Sequence, residues 1–386
     1  MAVLPPLRAI TGRLVNERSV SSPDPRADGP NAGVIAQLAT YAEDLGFAVR
    51  TQEVHPGKLN LIATLGDGPG GLVLSGHADT VPFDESRWSS DPFALTERDE
   101  KLYGLGAADM KGFFAAALHA ASRVRAASLR EPVVLIATAD EESTMDGARA
   151  LLETTLPTAT RAVIGEPTGL RPVHAHKGIL MEAIELVGRS GHSSDPSLGL
   201  SALDAMSHVL SALMAYREKL QQQRDARFVV PEPTLNLGRI EGGDSPNRIC
   251  GSCSLSYDVR MLPGMKPDAV RAAIQQTVAD ALRSAGFGDE LLVEYKRLAK
   301  AVPAFETPAN ASTLDALEAM TNQSAAAVMF CTEAPFFTEL GMETVVCGAG
   351  SIDVAHQPDE FVTEAGLSAA ADVYEGLIHR FCVEAA

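Results

Sequence analysis

The sequence predicts an α/β protein in which a mostly parallel sheet carries helices on both faces and a smaller domain is inserted into the chain. Three observations indicate this organisation. Short apolar runs alternate with helical patterns up to residue 178, as in successive strand–helix–strand units. Residues 179–300 follow the order strand, helix, strand, strand, helix, strand, which is the ferredoxin-like βαββαβ order. The first pattern resumes at residue 301, so we expect residues 1–178 and 301–386 to form one discontinuous domain.

The elements of the first segment follow from periodicity and turn residues. Apolar residues at helical spacing predict a helix over 31–46, which ends at Gly46. An Ala-rich stretch predicts a helix over 111–125. Runs of aliphatic and β-branched residues predict strands at 48–54, 60–65, 72–74, 133–137 and 162–165.

The inserted segment and the C-terminal segment are assigned in the same way. Strand 180–187 sets Met181, Ala183 and Ile184 against Glu182 and Glu185 in an imperfect alternation, typical of an antiparallel sheet with one wet face. The other predicted elements here are helices 200–221, 268–284, 312–321 and 367–382, and strands 234–240, 252–261, 291–297, 326–330 and 344–347.

Length and charge narrow the possible functions. A chain of 386 residues predicts two or more domains. Its formal net charge of −18 argues against nucleic acid or an anionic membrane as a partner, because no basic run compensates it. Residues 1–15 lack a secretory apolar region and no later run approaches membrane-spanning length, so we expect a cytoplasmic protein.

The cysteines predict no disulfide framework. There are five of them, and an odd count without a signal peptide argues for free thiols. Cys250 and Cys253 form a CxxC, which could be a redox pair or half a zinc site. Because no second CxxC exists and the segment alternates like a strand, we expect a structural role.

Charged and imidazole side chains follow several apolar runs. His77 and Asp79 follow the run at 72–74, and open α/β sheets place their chemistry at such strand ends. The others that lie beyond apolar runs are Glu141, Glu142, Glu166 and His356. A lone His-x-Asp or Glu-Glu would be an ordinary solvated loop. Repeated at the ends of buried strands, such groups need a cation to offset their desolvation.

This donor set predicts a dinuclear metal site. Two imidazoles and several carboxylates without a thiolate suit zinc or a similar divalent ion, and so many anions need more than one cation. Paired metals about 3.5 to 4 Å apart generate a nucleophilic water, which indicates hydrolysis. Adjacent Glu141 and Glu142 point differently, so one can bind metal while the other acts as base. Gly104-x-Gly106 does not start a dinucleotide loop, because position 109 is Asp.

The motifs at 76–82, 106–112, 140–142 and 165–168, with the late His356, resemble those of the dinuclear-zinc aminoacylase and carboxypeptidase family. The resemblance spans nearly the whole chain. It implies a zinc-peptidase-like catalytic domain (1–178 and 301–386) and an inserted lid that pairs two subunits (179–300). Further segments at 190–196, 234–238, 247–250, 331–335 and 355–360 resemble members that remove the acetyl group from the α-amine of ornithine, in arginine biosynthesis.

The resemblance implies a role for each metal-site residue. His77 and Glu166 would hold one zinc, Glu142 and His356 the other, and Asp109 would bridge them; cobalt or manganese could replace zinc. Asp79 would orient His77, and Glu141 would take the proton of the attacking water. His192 resembles a lid histidine that polarises the scissile carbonyl, often in the site of the neighbouring subunit, and the sequence leaves open whether it acts in its own subunit or in the other. The alternative for His192 is an ordinary surface histidine.

The expected substrate is a small acylated amino acid. Its α-carboxylate would be gripped by Arg260 with the help of Asn247, as the resemblance implies. Its cationic δ-amine would meet Glu333, next to Thr332, at the end of the run that closes with Cys331. Alternatives are a desuccinylase or aminoacylase of the same family, or an inactive metal-stabilised binding protein. Glu141, which only chemistry requires, disfavours the last.

Overall fold

A computed structural model describes residues 4–384. The chain forms two compact units: the first contains the residues up to His174, Thr307–Ala326 and those from Thr332 onwards, and the second contains Ala175–Glu306 and Ala327–Cys331. The sequence pattern assigns 327–331 to the larger domain. The structure places this segment in the second unit because its strand, Ala326–Val328, pairs with the strand that leads into that unit.

The observed strands begin and end at residues that differ in part from the predicted bounds. They are β1 (Ala48–His55), β2 (Lys58–Leu65), β3 (Leu72–His77), β4 (Thr96–Arg98), β5 (Lys101–Tyr103), β6 (Val133–Thr138), β7 (Arg161–Pro167), β8 (Val173–His176), β9 (Gly178–Val187), β10 (Thr234–Gly242), β11 (Ser252–Met261), β12 (Leu292–Arg297), β13 (Phe305–Glu306), β14 (Ala326–Val328), β15 (Glu343–Gly348) and β16 (Phe361–Thr363).

The helices alternate with these strands along the chain. They are α1 (Leu7–Asn16), α2 (Ala32–Asp44), α3 (Lys111–Ser122), α4 (Asp146–Leu151), α5 (Ala202–Leu220), α6 (Pro267–Ser284), α7 (Ser312–Thr321), α8 (Ala334–Glu339) and α9 (Glu364–Ile378). A π-helical turn, His379–Val383, continues α9.

The first unit is built on a large sheet in which strands follow the order β1, β2, β6, β3, β7, β15, β8. Its four central strands, β6, β3, β7 and β15, run parallel, and the strands outside them pair antiparallel. Every residue of β3 and β6 is buried. Since successive side chains point to opposite faces, both faces of these strands are covered, as their continuous apolar runs predict.

The helix that follows Asp109 is almost wholly buried. In α3 the Ala-rich stretch lets the helix pack closely against α1 and α9. Gly112 is required here, because a Cβ on it would lie 2.4 Å from the carbonyl oxygen of Ala107. The small sheet of β16, β5 and β4 also belongs to this unit, and its β5 leads into the loop that carries Asp109.

The second unit contains the order β9, α5, β10, β11, α6, β12. Its strands form one antiparallel sheet in the order β10, β11, β9, β12. Apolar residues of this sheet, of α5 and of α6 form its core. The strand β11 alternates buried and less buried residues along its length, which is the pattern of a sheet with one face against helices.

The predicted facing of β9 is wrong in part. Glu182 is buried and Met181 is exposed, although the sequence pattern sets Met181 with the apolar residues. The cause is an ion pair: Arg271 of α6 donates to Glu182 from 2.6 Å, so a carboxylate can occupy the face that packs on the helices.

The cysteines are all unpaired thiols. Cys250 and Cys253 are buried in the core of the second unit, which supports the structural role expected for them. Among residues 4–384, no helix combines the length and apolar character needed to cross a membrane.

Candidate metal centre

The central parallel strands bring the predicted ligands to one edge of the sheet. His77 ends β3, Glu166 lies near the end of β7, and Glu141 and Glu142 follow β6. These three strands are neighbours in the sheet, and their carboxyl ends point the same way. His356 comes eight residues after β15, the next parallel strand. The order of the strands therefore explains how residues far apart in sequence converge.

His77 is fully buried and fixed through both ring nitrogens. Its Nδ1 lies 3.0 Å from the backbone carbonyl oxygen of Asp79 and 3.7 Å from the Asp79 carboxylate. A proton on Nδ1 donated to that carbonyl leaves Nε2 as the ligand atom. Burial would lower the pKa of His77, but Asp109, Glu166 and other carboxylates raise it well above its usual value.

Asp79 acts on the neighbouring loop as well as on His77. Its carboxylate accepts hydrogen bonds from the backbone N–H of Glu141 at 3.2 Å and of Glu142 at 3.1 Å. The resemblance implies that Asp79 orients the imidazole. In the structure the main chain of Asp79 is the nearer partner of His77, and its carboxylate fixes the main chain of the acidic pair.

Asp109 lies between the two imidazoles. Its Oδ1 is 3.0 Å from His77 Nε2, and its Oδ2 is 3.4 Å from His356 Nε2. Burial would raise the pKa of Asp109, but hydrogen bonds with His356 and His77 outweigh it and hold the pKa below its usual value. One oxygen on each side is the arrangement that a carboxylate bridging two metals needs.

His356 completes the second half of the cluster. Its Nε2 lies 3.0 Å from the Glu142 carboxylate, and hydrogen bonds with Asp109 and Glu142 raise its pKa to about 10. Ligand atoms of His77, Asp109 and Glu142 all lie within 4.8 Å of one another. His356 has a left-handed backbone with φ of 59°, an uncommon conformation that often occurs at functional sites.

Two further carboxylates, Glu141 and Glu166, are buried at the same edge. Burial raises the pKa of both well above the usual value, and neighbouring carboxylates add to the effect. Glu166 Oε1 has no hydrogen-bond partner. An orphaned buried carboxylate oxygen costs free energy unless a cation or proton compensates it. The residues present therefore fit divalent cations, and the donor atoms are those that zinc accepts.

A buried polar network supports the acidic loop and was missed from the sequence. Asp140, just before Glu141, accepts from Lys58 Nζ at 2.6 Å and from the Ser21 hydroxyl at 2.7 Å. Lys58 also donates to Asp28 at 2.7 Å. Asp140 has a φ of 58°. Lys58 is the first residue of β2. The sequence around it does not indicate this role, because its partner Asp140 lies 82 positions away.

The residues expected to read the substrate are distributed over both units. Thr332 and Glu333 lie in the first unit and have no exposed surface. His192, Asn247 and Arg260 lie in the second unit.

Glu333 is a buried carboxylate with no hydrogen bond to either oxygen. The nearby Thr138 hydroxyl donates instead to the carbonyl oxygen of Gly76, at 3.3 Å. Burial raises the pKa of Glu333 to about 7. Its charge adds to the rise in the pKa of Glu141, which indicates that the two carboxylates are close.

In the second unit the predicted residues sit in polar surroundings. His192 is exposed, and its Nδ1 lies 2.6 Å from the Ser194 hydroxyl. Asn247 Oδ1 accepts from the Ser245 hydroxyl at 2.6 Å. Arg260 Nε lies 3.5 Å from Asp258, and the Arg260 side chain is 37% exposed. Arg260 therefore keeps donors that a ligand can use.

Known proteins are similar to this chain over most of its length. A family model described as peptidase family M20/M25/M40 matches residues 73–380. An acetylornithine deacetylase of Vibrio campbellii is 44% identical over 380 residues, which cover 98% of this chain and 99% of that protein. An acetylornithine deacetylase of Aliivibrio fischeri (strain MJ11) is 43% identical over 371 residues, covering 96% and 97%.

Solved structures share the fold at low sequence identity. A tripeptidase from Staphylococcus aureus has a TM-score of 0.74 at 19% identity, over 97% of this chain and 98% of that one. A dinuclear metal-binding M20 peptidase from Bacillus subtilis has a TM-score of 0.67 at 17% identity, over 96% of each chain. They confirm the predicted fold class. Together with the family model and the curated relatives, they lead to one conclusion: the chain belongs to peptidase family M20/M25/M40.

Proposed function

We propose that the chain is a metal-dependent amidohydrolase that converts N2-acetyl-L-ornithine and water into L-ornithine and acetate, a step of arginine biosynthesis. The relatives named acetylornithine deacetylase match it over nearly their whole length. The observation that carries the chemistry is the place of Asp109, with one oxygen near His77 and the other near His356. Glu141 is an additional buried carboxylate at the same edge of the sheet, and it is not needed as a metal ligand.

The proposed centre would hold two divalent ions. His77 and Glu166 would hold one, Glu142 and His356 would hold the other, and Asp109 would be shared between them. Zinc is the first candidate, and cobalt or manganese could take its place. Two such ions, when bound, polarise the amide carbonyl and make a water molecule more acidic.

The proton transfers fall to Glu141. Its carboxylate takes a proton from the attacking water as the oxygen bonds to the acetyl carbonyl carbon, and returns that proton to the leaving α-amine as the C–N bond breaks. Burial raises the pKa of Glu141 well above that of an exposed glutamate, which strengthens it as a base. Asp79 keeps Glu141 in place by accepting its backbone N–H.

The remaining substrate contacts are proposed for residues that the sequence singled out. Arg260, with Asn247, is proposed to grip the α-carboxylate, and the donors of its part-exposed guanidinium support this. Glu333, next to Thr332, is proposed to meet the δ-amine, and its two unpartnered oxygens support this. His192 is proposed to polarise the scissile carbonyl from a second subunit.

We further propose a cytoplasmic homodimer that pairs through the second unit. The strand β10 lies at an edge of that unit's sheet and is mostly exposed. One exposed apolar side chain, that of Ile240 at 49%, lies on this strand. An exposed, unpaired strand edge favours pairing with another chain.

The test is hydrolysis by metal-loaded protein of acetylornithine and of the neutral acetylmethionine. We expect turnover of acetylornithine, and a rise in its KM of about ten-fold or more in Glu333→Gln, because the amine loses its buried partner. The same variant should spare acetylmethionine.

Equal losses on both substrates would remove Glu333 from recognition of the amine. Glu333 has no exposed surface, which is also what a site for a substrate without that amine would show. This favours one second candidate function, that of an aminoacylase or desuccinylase. Faster turnover of another acylated amino acid than of acetylornithine by the wild-type chain would establish it.

A further inference from the structure

Glu360 has no part in the chemistry proposed above, yet its side chain is enclosed near the metal centre. It comes four residues after His356 and just before β16, and it is 1% exposed. A buried glutamate is costly unless several donors satisfy its oxygens. The identity of those donors shows what the carboxylate does.

All the hydrogen bonds to the Glu360 carboxylate come from the main chain of the loop that ends at Asp109. Oε1 accepts from the N–H of Ala108 at 2.7 Å and of Asp109 at 2.9 Å. Oε2 accepts from the N–H of Gly106 at 3.1 Å. The backbone carbonyl of Glu360 accepts from the N–H of Gly104 at 3.0 Å. Glu360 thus binds the loop at four points, three of them through its side chain.

Glu360 accepts from loop N–H groups that the loop's other backbone hydrogen bonds do not use. Those other bonds run from Leu105 to Pro92 at 2.8 Å, from Ala107 to Gly104 at 3.0 Å and from Lys111 to Gly106 at 2.7 Å. Gly106 has a φ of 81°, and a Cβ there would lie 2.7 Å from the Thr80 side chain, so only glycine fits. Residues 104–110 form turns between β5 and α3 and belong to no sheet. The Glu360 carboxylate therefore accepts the loop's backbone N–H groups, as the carbonyl groups of a neighbouring strand do in a sheet.

We propose that Glu360 is a positioning residue of the metal centre: it fixes the main chain of Gly106–Asp109 and thereby holds the Asp109 carboxylate between His77 and His356. Because Glu360 follows His356 in the same segment, it also ties the His356 segment to the Asp109 loop. Each oxygen of Asp109 reaches a different imidazole, so a shift of the loop disturbs both contacts. This role rests on the metal centre proposed above.

The test is zinc affinity, measured by chelator competition on metal-stripped protein, for wild type, Glu360→Gln and Glu360→Asp. Glutamine keeps the shape but turns its amide N–H towards a loop N–H, so one donor loses its acceptor. Aspartate keeps the charge but is one methylene too short to reach the loop. Loss of a partner that orients a ligand lowers metal affinity about 10- to 100-fold, and we expect a loss of this order in both variants.

The matched control is Glu100→Gln, which makes the same change at an exposed residue of the β4–β5 turn. It should bind zinc like wild type. The far-ultraviolet circular dichroism of the metal-free variants should also match wild type, which separates positioning from a general role in folding.

Three results would overturn the role of Glu360 while leaving the metal centre in place. The first is an unchanged zinc affinity in Glu360→Gln. The second is a loss of zinc affinity in Glu360→Gln with wild-type affinity in Glu360→Asp, which would mean a simple charge effect. The third is that the metal-free variants do not fold. A wild-type chain that binds no zinc would instead overturn the proposed function, and the role of Glu360 with it.

Discussion

The adjacent carboxylates Glu141 and Glu142 have different surroundings within one loop. Glu142 lies 3.0 Å from His356, among the ligand atoms. Glu141 is 9% exposed and close to the buried Glu333, and burial raises its pKa. Asp79 holds the backbone N–H of both, so their side chains diverge from one fixed piece of main chain. This arrangement suits one ligand and one base.

We expect Glu141→Gln to bind metal normally and to lose turnover by at least about 10² to 10⁴ in kcat, because the amide cannot accept a proton. The measurement is kcat for acetylornithine together with metal content. Glu153→Gln, the same change at an exposed position, is the control and should keep wild-type kcat. A Glu141→Gln chain with near-normal kcat would remove Glu141 from the mechanism.

The sequence predicts which residues meet at this site more readily than how they are held. His77, Glu166 and the acidic pair are recognisable because each follows a buried apolar run. The supports are different: Glu360 acts on main-chain N–H groups of residues about 250 positions away, and Lys58 reaches Asp140 across 82 positions. Such contacts depend on loop conformation, which periodicity does not describe.

At the scale of elements, α6 and β9 are joined by a buried ion pair. Arg271 Nε lies 2.6 Å from Glu182, whose other oxygen accepts from the Tyr257 hydroxyl at 3.1 Å. The side chains of Arg271 and Glu182 are only 14% and 2% exposed. On the same helix, Arg283 pairs with Asp280 at 3.0 Å, but its side chain is 74% exposed.

These two pairs make a matched comparison. We expect Arg271→Met to lower the free energy of unfolding of the second unit by about 3 to 5 kcal/mol, because Glu182 would be left buried without its cation. Arg283→Met should change it by at most about 1 kcal/mol, since an exposed pair contributes little. Urea denaturation followed by circular dichroism measures both, and equal effects would contradict the importance of burial.

The bounds of strands and helices were predictable where apolar residues recur with a single period, either that of a helix or that of a strand. The helix predicted at 31–46 is α2, and the strand predicted at 252–261 is β11. The facing of β9 was not predictable, because Glu182 is buried only through Arg271 of α6, 89 positions later. The final helix also departs from its predicted range, since it starts at the Thr363 N-cap, whose hydroxyl accepts from the N–H of Gly366.

At the scale of the whole molecule, the chain places its proposed ligands in one unit and His192 in the other. We therefore predict that inactive His192→Ala and Glu141→Gln chains regain activity when they are mixed and allowed to exchange subunits. Each mixed dimer would contain one site with an intact Glu141 that receives His192 from the other chain. Random pairing gives about a quarter of the wild-type activity.

Each variant incubated alone is the control and should stay inactive. Sedimentation should show dimers in both samples and in the mixture. Mixed dimers that form without gaining activity would place His192 within its own chain's site or outside the reaction.

We propose that one cluster of side chains holds two divalent ions through a shared Asp109. The most direct test is the zinc content per chain of wild type and of Asp109→Ala, after stripping and reloading. We expect two ions in wild type and loss at both positions in the variant, because His77 and His356 contact opposite oxygens of one carboxylate. An Asp109→Ala chain that retained its full complement of zinc would contradict it.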